Sequence, residues 1–82
     1  MSKIIRLMAR GNNILASGIT EDQLIGDFCT EYGLTENDIL NNTLEYVEMT
    51  SHPYRKDGRL YTRVFEKVEY SCTVREYLEK WR

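Results

Sequence analysis

A chain of 82 residues, 41% hydrophobic and 29% charged, has room for one core and no second, and its apolar content excludes a disordered segment. The formal charge of −2 hides a sorting along the sequence: +3 over residues 1–10, −8 over 11–54 and +3 over 55–82, with no Lys or Arg from Gly11 to Tyr54. Such an acidic middle repels phosphate backbones and attracts cationic surfaces, which argues against direct nucleic-acid binding and for a protein partner with a basic surface.

Residues 1–10 are apolar only in a short burst broken by Arg6 and Arg10, which leaves no room for a signal-peptide core or a membrane span. Two cysteines, Cys29 and Cys72, are too few for the disulfide framework of small secreted domains, so buried thiols in a reducing cytoplasm are expected. Even with the single histidine, His52, they fall short of a four-ligand zinc set, and no metal or cofactor is expected.

Lys3 to Ala9 alternates and is rich in Ile and Leu, Gly11, Asn12 and Asn13 supply a turn, and Ile14 to Ser17 form a second apolar run, which predicts a β-hairpin. Thr20 and Gln23 have capping-box spacing, and Ile19 is placed to staple onto Leu24. Leu24, Ile25, Phe28, Cys29 and Tyr32 make one stripe, predicting a helix that starts at Glu21 and closes at Gly33. Leu34, Thr35, Glu36, Asp38 and Ile39 repeat that arrangement and predict a short second helix from Glu36 to near Asn42.

From Leu44 the composition favours strand. The expected course is a strand to about Ser51, a loop through Pro53, a turn at Lys56, Asp57 and Gly58, and a returning strand from Leu60 to Ser71. Alternation assigns Leu60, Thr62, Val64, Val68 and Tyr70 to one face, and Tyr61, Arg63, Phe65, Lys67 and Glu69 to a mixed face toward solvent. Thr73 with Glu76 makes a third capping box, and Val74, Tyr77, Leu78 and Trp81 predict a closing helix with Trp81 as a core anchor. The order ββααββα points to a single compact α+β domain over residues 1–82, an antiparallel sheet of about four strands packed with two to three helices.

Catalysis is not expected. His52 has no acid–base partner legible in the sequence, neither cysteine sits in a Gly-rich strand-to-helix turn, and there is no phosphate-binding loop, dinucleotide fingerprint or HExxH pattern. Helix, turn, helix and hairpin together also fit a winged-helix nucleic-acid binder. Asn37, Asn41 and Asn42 would then contact bases, and Arg55, Lys56 and Arg59 would arm the wing. Glu36 and Asp38 on that recognition helix, with no cation to offset them, argue against it.

The remaining acids favour a protein-binding module. Glu21, Asp22, Glu36 and Asp38 fall in first helical turns, where negative charge suits the helix dipole. Asp27 and Glu31, four apart on the first helix and away from its apolar stripe, repel each other by a few tenths of a kcal/mol with no cation nearby in sequence. Glu45 and Glu48 join them if the second helix continues, and Tyr46, Tyr54 and Tyr61 on the long hairpin are candidate interface anchors. The expected partner-binding set is Asp27, Glu31, Glu45, Glu48, Tyr46 and Tyr54.

In overall character, a short, single-domain, acidic-centred chain without a catalytic motif, the protein resembles the small phage-encoded inhibitors of host defences, anti-CRISPR proteins among them. That family has no shared sequence signature, so the resemblance transfers no residue roles. It implies a stoichiometric inhibitor in the host cytoplasm that occupies a basic, nucleic-acid-binding surface of a host nuclease complex such as CRISPR-Cas.

Overall fold

The computed structural model describes residues 2–81, without the side chain of Trp81, so the expectation of a core anchor there lies outside the described residues. Strands β1 (Ser2–Met8) and β2 (Ile14–Gly18) are followed by helix α1 (Glu21–Tyr32), a single 3-10 turn (Glu36–Ile39), strands β3 (Thr43–Lys56) and β4 (Arg59–Thr73), and helix α2 (Val74–Trp81). All strand neighbours are antiparallel, in the order β2-β1-β3-β4. This is the expected α+β class with a four-stranded antiparallel sheet, but with two α-helices among the described residues. No helix among them is long and apolar enough to cross a membrane.

One face of the sheet makes the core. Ile5 and Leu7 of β1, Leu44 of β3 and Cys72 of β4 meet Leu24, Ile25, Phe28 and Cys29 of α1, Val74 and Tyr77 of α2, and Ile39 of the 3-10 turn. Spacing reads Leu24, Ile25, Phe28 and Cys29 of the α1 stripe correctly, but Tyr32, 59% exposed, lies outside the core with its ring against Phe28; Gly33 closes that helix in the left-handed conformation at φ 64°. Its start differs from expectation. Thr20 makes no side-chain cap, and Ile19 is 81% exposed, so neither the capping box nor the staple forms. The boxes at the other two sites are made. The Thr35 amide donates to Asp38 Oδ2 at 2.8 Å, the Thr73 amide to Glu76 Oε1 at 3.0 Å, and the Glu76 amide to Thr73 Oγ1 at 3.1 Å.

The second helix shrinks to one 3-10 turn because the backbone beyond it is already engaged. The Val74 and Arg75 amides at the start of α2 donate to the carbonyls of Asn42 and Leu40 at 2.9 and 3.0 Å, and Asn42 Nδ2 donates to the Met8 carbonyl at 3.1 Å. These bonds satisfy amides that a helix start otherwise leaves bare, and they hold 40–42 out of helical register. A recognition helix spanning Glu36 to Asn42 is thereby absent, and with it the winged-helix arrangement.

The largest departure is in the hairpin. β1 runs out at the pair Ser2–Met49, yet β3 and β4 stay paired to Lys56–Arg59, with no loop at Pro53. Seven further residues on each side project as a two-stranded arm of about 23 Å. The chain measures 52 × 24 × 23 Å with a radius of gyration of 15.7 Å, against about 12 Å for a compact domain of this length. Asp57 and Gly58, at φ 54° and 75°, form the tight two-residue turn that such signs of φ allow. Counting back from it, Tyr54–Tyr61 is a hydrogen-bonded pair and Pro53–Thr62 is not. The proline nitrogen therefore points outward, at an edge where β1 no longer follows, and costs the ladder nothing.

The faces of β4 also differ from simple alternation. The register slips between Tyr46–Tyr70 and Val47–Val68, leaving Glu69 as an extra residue. Tyr70 consequently shares the helix-bearing side with Lys67, Phe65, Arg63 and Tyr61. Leu60, Thr62, Val64 and Val68 lie on the opposite side. The mixed face expected to look away from the core is thus the outward continuation of the core face.

Candidate functional site

Beside α1 the open edge of β2 borders a groove of about 340 Å³. Ala16, Ser17 and Gly18 line it along the strand, and Gln23, Asp27 and Glu31 along the helix, with Leu24 and Phe28 as its buried floor. Gly18 adjoins Leu24 at the near end of the groove, where a Cβ would stand in ordinary contact at 3.4 Å from Leu24 Cβ. α1 contains no Lys or Arg, and the ion pairs Lys3–Glu69 at 3.6 Å and Arg6–Glu66 at 2.6 Å belong to the sheet. The groove thus joins a strand edge with spare backbone hydrogen-bonding groups to an acidic rim.

Of the six residues expected to bind a partner, Asp27 and Glu31 are the two the fold brings together there. Glu45 pairs across to Arg6 on the sheet face that carries no helix. Glu48 is on the other face, at the root of the arm beside Glu69. The contact between the two carboxyl groups raises Glu48 and lowers Glu69 relative to an ordinary glutamate, with Lys3 and Lys67 nearby. Tyr46 is structural. It is partly buried against the core, its ring lies 5.6 Å from that of Tyr70, and its hydroxyl donates to Glu21 Oε2 at 3.3 Å. Tyr77 likewise donates to Asp22 Oδ1 at 3.1 Å, so the first-turn acids of α1 anchor β3 and α2 as well as suiting the helix dipole. Tyr77→Phe should cost about 1 kcal/mol in urea unfolding, with the fold retained.

Tyr54 belongs to a different region, the inner face of the arm. Its ring stacks on Tyr61 at 5.6 Å and 22°, the Arg63 guanidinium sits 5.1 Å above it, and His52 meets Phe65 edge-on at 5.4 Å. Lys56 and Arg59 flank the turn on the same side. Of the set considered for nucleic acid, Lys56 and Arg59 join this face and Arg55 points to the other. Asn37 lies in the 3-10 turn and Asn41 just after it, away from the arm in sequence and in a different element.

No family model matches the chain, and no curated protein or solved structure is significantly similar to it. The functional reading rests on the geometry of these two regions.

Alternation already groups Tyr61, Arg63 and Phe65 on one face of β4; what sequence reasoning missed is that His52 and Tyr54 of β3 complete that surface. Asp57–Gly58 as a two-residue turn, with Pro53 kept in the strand, is the signal that would have aligned them. Among the described residues no group of three or more His, Cys, Asp or Glu is placed to hold a metal. Both thiols are free and buried. Burial, with Glu36 and Asp38 nearby, raises Cys29, and burial, with Glu76 nearby, raises Cys72. Tyr46 is raised by burial and by Glu21. Folded-state pKa values above the unfolded ones stabilise the fold fully below the unfolded thiol pKa of about 8.5. That contribution is lost as pH rises through the folded values, so the melting temperature should fall steadily above about pH 9, and native thiols should resist alkylation at pH 7.

Proposed function

We propose that the protein is a non-enzymatic binding protein whose groove between α1 and β2 takes an extended cationic segment of a nucleic-acid-handling protein, blocking it as a stoichiometric inhibitor. The observation that carries this reading is the Asp27–Glu31 rim facing an unpaired strand edge. Four helical residues rise about 6 Å, and two strand residues span about 6.6 Å. A segment added alongside β2 would therefore present Lys or Arg at i and i+2 to the two carboxylates in turn, while its backbone extends the sheet. The aliphatic stems of those cations would cover Leu24, Phe28 and Ile19. A cationic segment of this kind is what basic nucleic-acid-binding surfaces offer, in line with the inhibitor role that the resemblance to small phage-encoded inhibitors implies.

The test is an NMR titration with a peptide alternating lysine and threonine. Amide shifts should concentrate at Ala16 to Gly18 and along Gln23 to Glu31, and Asp27→Lys with Glu31→Lys should abolish them. Shifts that spread over the whole acidic surface, or that survive the reversal, would defeat the reading.

A further inference from the structure

We infer that the inner face of the β3–β4 arm is a binding site for single-stranded nucleic acid, separate from the groove and carried by different residues. Residues 50–65 hold four cations (Arg55, Lys56, Arg59 and Arg63) and one carboxylate (Asp57), hence +3 in a chain of −2, which leaves −5 for the rest. The acidic body would repel phosphates if the two were superposed. They are not, because the arm projects about 23 Å past the end of β1. The Debye length at physiological ionic strength is about 8 Å, so the outer half of the arm is screened from the body while its own cations act at contact range.

Charge alone would suit any polyanion. The rings narrow the choice. Between the Tyr54–Tyr61 stack and the His52–Phe65 pair lies a shallow hollow of about 500 Å³, lined by His52, Pro53, Tyr54, Arg63 and Phe65. Half-exposed flat rings beside a guanidinium offer a stacking surface for a base and a hydrogen-bonding fork for its phosphate. A duplex keeps its bases stacked inside and cannot use those rings. An acidic protein loop would meet the cations and leave the rings idle. Tyr54 and Tyr61 lie outside the core cluster, so their exposure is not explained by packing of the domain.

The test measures fluorescence anisotropy of a labelled oligo(dT) against the whole chain, with a duplex of the same length alongside. Saturable binding is expected, tighter for the single strand. Tyr54→Ala with Tyr61→Ala should weaken it at least tenfold, whereas Phe at both positions should retain it. Lys56→Ala with Arg59→Ala should flatten the slope of log affinity against log salt by about 1.4. Asp27→Lys with Glu31→Lys in the groove should leave it within about twofold, which separates this site from the groove reading. Should the alanine pair fail to fold, the phenylalanine pair and the salt slope of the Lys56, Arg59 variant decide the matter. No saturable binding, an equal or greater affinity for the duplex, or a salt slope unchanged by the Lys56, Arg59 variant would overturn the proposal.

Discussion

Leu44→Ala should remove about 3 kcal/mol of folding stability and lower the melting temperature by roughly 12–24 °C. Leu44 is 0% exposed and sits mid-sheet, paired with Leu7 on one side and Cys72 on the other, under the helix layer. Truncation there leaves a cavity bounded by backbone on three strands, which cannot close without moving the ladder. A domain of this size has about twice that stability to lose. Leu60→Ala is the internal control. Leu60 is 68% exposed on the arm, and its loss should cost under about 0.5 kcal/mol. Thermal unfolding followed by circular dichroism compares the two. Equal losses would mean that the arm is part of the cooperative core and not a projection from it.

What can be read from the sequence divides along the same boundary. The body is legible for two reasons: burial imposes a period on the α1 stripe from Leu24 to Cys29, while the Thr35 and Thr73 boxes and the Gly11–Asn12 turn of the first hairpin are local signals that need no core. The arm is not, because every residue from Ser51 to Ser71 is exposed and no core disciplines its alternation. There Pro53 reads as a strand breaker, although the end of β1 at the Met49 pair frees that edge. The bulge at Glu69 is invisible to a count by twos, and it exchanges the faces of everything beyond it. The second helix fails for a third reason: the Leu40 and Asn42 carbonyls are taken by α2, an element more than thirty residues away. For the candidate site, Asp27 and Glu31 stand out because they break a helical rule, and the arm surface escapes notice because its residues adjoin only once the register is known.

That broken rule yields the second large effect. Glu31 stands in the last turn of α1, where the helix dipole disfavours a carboxylate, and four residues from Asp27, where like charges repel. Glu31→Lys reverses both penalties, because it sets a cation four residues after Asp27, the favourable orientation for an ion pair along a helix. Stability should rise by about 1 kcal/mol, or roughly 4–8 °C in melting temperature. In the groove the same change replaces an attraction to a cationic segment by a repulsion, worth about 2 kcal/mol or about 30-fold in affinity. Adding Asp27→Lys should deepen the binding loss while returning part of the stability gain, since two lysines four apart repel as two acids do.

Because the two effects have opposite signs, the decisive comparison is melting temperature and affinity for the lysine–threonine peptide, on the native chain and on Glu31→Lys. The expected result is a more stable protein that binds the peptide about 30-fold less tightly. A variant that gains stability and keeps its affinity would show that the acidic rim of the groove is a solvated helix face without a role in binding.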